Sequence, residues 1–333
     1  MSALGVVIPC YRQERFLART VSALERALAG REWRGALVQA APSQEPLPAL
    51  SSHWQRIPPP VSSIRSGQGA PLTPGAARML GFAACGGTWV LFVDADVEVD
   101  AAWLTRALEI IDRDDDPALA GLWGRLEEWF VDAGGERPGN PDLYGVGNRE
   151  QSSDYLATLA LYRRTALAAA GGYDPRLRSE EDFELGLRLG RMGGQLRSLG
   201  MRAARHWSAP RPSFGELSRR WSSGLCFGQG QVLRLYLGRP GFARLLRRQA
   251  LYLATLAMWA LAVPAAAFAL ARGDARPLLA WAVLPIALLV VMAARKRSPA
   301  LALHSLLTWT LNGCGLIVGL FRVEAHATRE ATC

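Results

Sequence analysis

Asp94-Ala95-Asp96 directly follows an apolar run, Trp89-Val-Leu-Phe-Val93. Two carboxylates one residue apart at the end of a buried strand can share a divalent cation and a ribose. Their hard oxygens suit Mg2+ or Mn2+ bridged to a diphosphate. Aspartates also form turns, so the pair alone does not decide the chemistry. A second acidic group, Glu180-Glu181-Asp182, comes after Gly171-Gly172-Tyr173-Asp174 and opens a stretch containing Leu185, Leu187, Leu189 and Met192. Acids at the start of a helix are favoured by its dipole without any further role. The same carboxylates can act as a general base toward a hydroxyl nucleophile.

The surrounding pattern predicts the elements that position these groups. Leu4–Ile8 reads as a buried strand ending at Pro9, Phe16–Ala29 as a helix with apolar residues at helical spacing, and Gly35–Val38 as a second strand. Pro74–Ala84 reads as a helix with proline near its start and Gly86-Gly87 just beyond its end. Trp89–Val93 is a third strand, and a weak one is expected at Trp54–Ile57 within the Pro-, Ser- and Gly-rich stretch Ser43–Gly75. This order predicts an α/β fold with a mainly parallel sheet and helices on both faces. Ligands of such sheets bind at the carboxyl ends of the strands, where Pro9-Cys10-Tyr11 and Asp94-Ala95-Asp96 both fall.

The 333 residues are 50% hydrophobic and 20% charged, with a mean hydropathy of +0.08. That composition excludes a disordered, collagen-like or coiled-coil chain and points to a lipid-facing part. Three apolar segments carry it: Ala250–Ala271, Pro277–Ala294 and Pro299–Phe321. Each approaches or exceeds the ~18–20 residues a helix needs to cross the hydrocarbon core. The third is the most polar, through His304, Thr308, Thr310 and Asn312, which points to helix–helix packing. Five widely spaced cysteines without a CxxC pair argue against a disulfide framework or zinc site. The N-terminus carries no signal-peptide pattern.

The net charge of +9 implies an anionic partner. Thirteen arginines lie between Gly186 and Arg248 against one acid, Glu216. Ser213–Leu237 mixes Phe214, Leu217, Trp221, Leu225 and Phe227 with these charges, as a helix lying on an anionic leaflet would. A nucleic-acid partner is not expected, because the basic run leads directly into the first apolar segment. Arg244, Arg247 and Arg248 before that segment, and Arg295, Lys296 and Arg297 after the second, place the N-terminal part in the cytoplasm. Arg272 and Arg276 in the first connection oppose that orientation. The expected organisation is a cytoplasmic catalytic domain over 1–235, a basic interfacial linker over 236–248, three transmembrane helices over 249–321 and a short tail over 322–333.

Taken together, IPCYRQE, ARMLGFAACGGTWVLFVDAD and LYRR…GGYD…EEDFELGLRL, in that order over roughly residues 4–235, resemble glycosyltransferase family 2. The C-terminal helices resemble those of its succinoglycan-type, polysaccharide-building branch. The resemblance implies the glycosyltransferase A fold, of nucleotide-diphospho-sugar transferase type, and a nucleotide-sugar donor. It assigns Pro9, Tyr11 and Glu14 to the nucleotide pocket, Arg78 to the nucleotide or its phosphates and Asp94 to the nucleoside side. Asp96 would hold Mg2+ or Mn2+ on the diphosphate, with His206 completing the metal shell, and Asp182 would be the catalytic base beside Glu181. The mechanism implied is a single in-line displacement with inversion. Arg219, Arg220 and Trp221 would meet a diphosphate on a lipid-linked acceptor.

The sequence also departs from the family pattern. Asp-Asp-Gly-Ser is common after the second strand, but Ala40-Ala41-Pro42-Ser43 stands here, so an aspartate contact to the base has no counterpart. Arg12 stands where asparagine is common. Leu217 takes the glutamine position of QxxRW ahead of Arg220-Trp221, which favours adding one sugar over polymerising many. The expected activity is transfer of a sugar to a polyprenyl-diphosphate-linked glycan in cell-surface polysaccharide synthesis. A polyprenyl-phosphate sugar synthase and a non-catalytic membrane scaffold are the alternatives.

Overall fold

The first apolar run folds as strand β1, Leu4–Cys10, buried along both faces as a central parallel strand must be. Helix α1, Glu14–Ala27, buries Phe16, Leu17, Val21 and Leu24 and leads to β2, Trp33–Gln39. The short β3, Trp54–Ile57, takes the edge of the sheet. Helix α2, Pro74–Ala84, starts where its signals predict: Thr73 Oγ1 accepts from Ala76 N–H, and Pro74 occupies the first turn. Strand β4, Trp89–Val93, is wholly buried and ends at Asp94. Next come β5, Val97–Val99, and helix α3, Ala101–Arg113. Strands β6, Leu119–Asp132, β7, Gly135–Pro138, β8, Glu150–Ser153, and β9, Leu159–Arg163, follow without an intervening helix. Helices α4, Arg164–Ala169, and α5, Glu181–Arg191, then lead to β10, Gln195–Ser208.

The computed structural model describes residues 3–43, 45–59, 72–113, 115–209 and 214–322. Its strands form one ten-stranded sheet in the order β3-β2-β1-β4-β9-β6-β10-β5, with β7 on β6 and β8 on β10. From β3 to β4 every pairing is parallel. Beyond β4 the sheet is mixed: β9 runs antiparallel to β4 and β6, β6 and β10 are parallel, and β5 is antiparallel to β10. The expected parallel order therefore holds for the half built from strand–helix crossovers. No helix links β6 to β9, so nothing carries the chain back to start a parallel strand. Helices pack on both faces, as alternation along β4 shows. Leu91 and Val93 share a core with Leu17, Leu24 and Trp103, and Val90 and Phe92 share another with Leu167, Tyr173 and Leu185.

A second compact unit is described from Phe214 to Arg322. It contains α6, Phe214–Ser222, α7, Gly228–Leu235, α8, Phe242–Arg248, α9, Ala250–Ala260, α10, Ala262–Arg272, α11, Arg276–Lys296, and α12, Pro299–Phe321. Three segments are long and apolar enough to cross a membrane: Ala250–Arg272, Arg276–Lys296 and Pro299–Phe321. The first is interrupted between α9 and α10, where Pro264 has no N–H to offer the preceding turn. The last is the most enclosed, with 39% of its apolar window buried against 6% for each of the others. Its polar residues serve packing. Trp259 Nε1–H donates to Thr310 Oγ1 at 2.9 Å, and Gln229 Nε2–H donates to Asn312 Oδ1 at 3.3 Å. Glycine brings α7 and α12 together: a Cβ on Gly319 would lie 2.0 Å from the Phe227 carbonyl oxygen. This packing draws residues 214–235 into the second unit, so the division between units falls upstream of residue 235. Cys10, Cys85, Cys226 and Cys314 are free thiols. Cys333, Arg211 and the tail from residue 323 lie outside the described residues.

Candidate active site

Strands β1 and β4 end side by side, which brings the Pro9–Tyr11 segment next to Asp94 and Asp96. Parallel strands expose their carboxyl ends at one edge, so residues far apart in sequence gather there. Helix α2 supplies Arg78, which is only 4% exposed. Its guanidinium reaches three carboxylates. Nη2–H donates to Asp94 Oδ1 at 2.9 Å, Nη1–H donates to Glu181 Oε1 at 2.6 Å, and Nη1 lies 3.8 Å from Asp182 Oδ1. Burial opposes its charge, but Asp182 and Asp94 more than compensate and keep it protonated. Tyr173 of the Gly-Gly-Tyr-Asp motif is buried beneath it, with the guanidinium 5.2 Å from the ring centroid.

One guanidinium cannot neutralise three carboxylates. Glu181 takes the shortest bond and is buried, whereas Asp182 keeps 20% of its side chain exposed. Asp182 Oδ1 is buried with no hydrogen-bond partner among the described residues. Burial pushes the Asp182 carboxyl well above the usual carboxylate range; Arg78 opposes this, and Glu181 and Asp94 add to it. The result is a carboxylate of raised basicity, partly open to a ligand.

Asp96 and His206 form the neighbouring pair. Strand β10 pairs with β5 so that His206 lies opposite Val97, and Trp207 N–H donates to Asp96 C=O at 2.8 Å. His206 Nε2 thereby comes within 3.5 Å of Asp96 Oδ2. Gln13 Nε2–H donates to the same oxygen at 2.5 Å. Burial pushes the Asp96 carboxyl up; His206 opposes it and Asp94 reinforces it. Asp96 Oδ1 is buried without a partner among the described residues. That orphaned hard oxygen beside an imidazole fits a divalent cation. Among the described residues no group of three His, Cys, Asp or Glu side chains converges. The donor set therefore fits a cation completed by a ligand's oxygens and by water, as Mg2+ commonly is, and does not form an all-protein cage.

The other expected residues divide between the two units. Glu14 is buried in the first turn of α1, and Pro9 and Tyr11 are half-buried at the end of β1. Burial and the charges of Glu14 and Asp96 push the Cys10 thiol up to about 12, so it is not a nucleophile at neutral pH. Arg219, Arg220 and Trp221 belong to α6 in the second unit, where Arg219 pairs with Glu216 at 2.6 Å and Trp221 packs edge-on against Phe227. Gln13 and Tyr173 escaped the sequence reading. Tyr173 carried a signal, since it sits inside the Gly-Gly-Tyr-Asp motif, whereas Gln13 becomes visible only once β4 lies beside β1.

Residues 5–170 match the profile of glycosyl transferase family 2. The match covers Pro9, Tyr11, Arg78, Asp94 and Asp96, while Glu181, Asp182 and His206 lie beyond it. No curated protein matches the sequence. Among solved structures the chain is similar to TarS 1-349 of S. aureus, at 16% identity and a TM-score of 0.45 over 61% of this chain and 60% of that one. It is also similar to GalNAc-T7 solved with UDP, GalNAc and Mn2+, at 16% identity and a TM-score of 0.46 over 63% of this chain and 44% of that one. The chain thus spans less than two thirds of either structure.

The carboxylates of α5 depend on one close approach. A Cβ on Gly186 would lie 2.1 Å from the Asp154 carbonyl oxygen and 3.0 Å from Tyr155 Cα. Both are backbone atoms and cannot rotate away. Gly186→Ala is expected to destabilise the protein by about 1–3 kcal/mol through overpacking, read as a lower midpoint of thermal unfolding. An unchanged midpoint would show that the 154–155 segment yields freely.

Proposed function

We propose that the protein is a membrane-bound, inverting glycosyltransferase that moves a sugar from a nucleotide-sugar donor to an acceptor hydroxyl. The observation that carries this reading is the convergence of Arg78, Asp94, Glu181 and Asp182 from α2, the end of β4 and α5 onto one cluster beside Asp96 and His206. Asp182 is the residue we assign as general base: it is partly open, its basicity is raised by burial, and Arg78 is engaged by Glu181 and Asp94. It would take the proton of the acceptor hydroxyl as that oxygen attacks the anomeric carbon. Asp94, held by Arg78, orients the nucleoside side of the donor, with Pro9, Tyr11 and Glu14 along the pocket. Asp96 and His206 would hold Mg2+ or Mn2+. Such a cation supplies neutralisation of the charge that develops on a departing diphosphate.

The acceptor we propose is a polyprenyl-diphosphate-linked glycan at the inner leaflet. Three apolar segments and the arginine-rich helices ahead of them support a multi-pass protein of the cytoplasmic membrane. Arg219, Arg220 and Trp221 would face the headgroups and the acceptor's diphosphate. Thermal unfolding of the purified chain against a panel of nucleotide sugars, each with Mg2+ or Mn2+, tests the donor reading. A bound donor raises the midpoint, by ~2.7 kcal/mol of stabilisation at a hundredfold excess over Kd. If no nucleotide sugar and no nucleoside diphosphate raises it, the protein is a scaffold without a donor site. Product analysis tests the acceptor: a phosphodiester-linked sugar, in place of a new glycosidic bond, would make it a polyprenyl-phosphate sugar synthase.

A further inference from the structure

Among the described residues, four that are not glycine have a left-handed backbone, and three of these sit at the candidate site: Arg12 after Tyr11, Glu180 before Glu181, and Thr158. Thr158 is the most demanding, because a β-branched side chain fits positive φ poorly. Its φ is 63°, and Leu159 N–H donates across it to Ala157 C=O at 2.5 Å. That is a three-residue turn of the rarer, strained hand. Thr158 C=O accepts Asp94 N–H at 3.0 Å, and its Oγ1 shares a hydrogen bond of 2.6 Å with the Tyr144 hydroxyl. Strain of this kind persists where the surroundings enforce it, and it gathers at ligand sites.

Tyr144 lies between β7 and β8. Its hydroxyl is tied to Thr158, yet 36% of the residue remains exposed. The ring is also fixed from behind. It tilts against Trp123 at 5.8 Å between centroids, Trp123 meets Tyr155 at 5.6 Å, and Tyr155 meets Phe183, the neighbour of Asp182, at 5.6 Å. Burial pushes the Tyr144 phenol up and the Thr158 hydrogen bond opposes this, with the charges of Asp94 and Asp182 adding to the rise. In an in-line displacement the transferred sugar lies between the leaving diphosphate and the base. A rigid aromatic surface linked through Thr158 to Asp94, and through Trp123 and Tyr155 to the Phe183 that adjoins Asp182, suits that place, since a pyranose offers such a surface an apolar C–H face.

We propose that the Tyr144 ring, tied to Thr158 and backed by Trp123, walls a subsite for the pyranose of the donor, an inference that rests on the glycosyltransferase reading above. The test measures dissociation constants for the full chain in detergent, in Mg2+, with UDP, UDP-glucose, UDP-N-acetylglucosamine, GDP and GDP-mannose. In the wild type one nucleotide sugar binds more tightly than its own nucleoside diphosphate. In Tyr144→Ala that preference falls about tenfold while the diphosphate's own affinity holds, and Tyr144→Phe, which keeps the ring, stays within about threefold of wild type. Tyr144→Leu keeps apolar bulk without the flat ring and loses the preference as well, which covers the case in which the alanine variant does not fold. A preference that survives in Tyr144→Ala or Tyr144→Leu, an equal loss for diphosphate and nucleotide sugar, or a wild type that binds both equally overturns the subsite and leaves the glycosyltransferase reading standing. A wild type that binds none of the five ligands overturns both.

Discussion

An Asp182→Asn protein is expected to lose sugar transfer by about 10²–10⁴-fold, the span that a positioned general base contributes. The loss should fall on kcat with little change in the donor's KM, because the amide keeps the shape of the carboxylate but cannot take the acceptor's proton. The same change should stabilise the fold at neutral pH. Asp182 is held above the usual carboxylate range by burial, against the pull of Arg78. Between its unfolded and folded pKa the native state binds more protons than the unfolded state, so wild-type stability falls as pH rises through that window. The asparagine variant removes the ionisation and with it that decline, leaving Glu181 and Asp94 to balance Arg78. Activity runs the other way: the acid limb of kcat/KM in the wild type should lie above the ordinary carboxylate range, since Asp182 must lose its proton to act. Undiminished transfer by Asp182→Asn would remove the residue from the chemistry, and a lower thermal midpoint would refute the crowding of charge.

Arg78→Met should be the most destabilising single change at the site, by about 3–5 kcal/mol, because it strands the buried Glu181 carboxylate and leaves Asp94 and Asp182 without their shared cation. The partner test is the double variant Arg78→Met with Glu181→Gln, which removes both members of the shortest ion pair. It should recover a substantial part of the loss, since an ion pair replaced on both sides costs far less than one broken on one side. Arg78→Lys should fall between them, because a single ammonium cannot bond Asp94 and Glu181 at once through a fork. Urea unfolding of the single and double variants measures the coupling directly. Additive losses would show that Arg78 and Glu181 do not depend on each other.

Both predictions rest on an arrangement only partly legible in the residues themselves. Helix α2 could be placed from Pro74 at its start and Gly86-Gly87 after its end, and β4 from its unbroken apolar run, because caps and periodicity are local signals. The acids of α5 were visible for the same reason, and the three apolar segments were readable from length and hydropathy alone. Asp94 could be placed at a strand's carboxyl end, and that end identified as a ligand edge, from the alternation of strands and helices.

What remained hidden was which side chain meets which. Arg78 and Glu181 are 103 residues apart, and Gln13 and Asp96 are 83 apart. Their meeting depends on strand order: β1 lies beside β4, and β10 reaches β5 only after the sheet turns from parallel to mixed. Nothing in a local pattern encodes that order, since each pairing is chosen by competition among all strands for buried edges. The elements, the acidic motifs and the apolar segments follow from local patterns, whose physics acts within a few residues. That one guanidinium is shared by three carboxylates, and so which of them is left under-compensated and basic, follows only from the assembled sheet. Burial and distance across the chain set that balance, and both exist only once the sheet has closed.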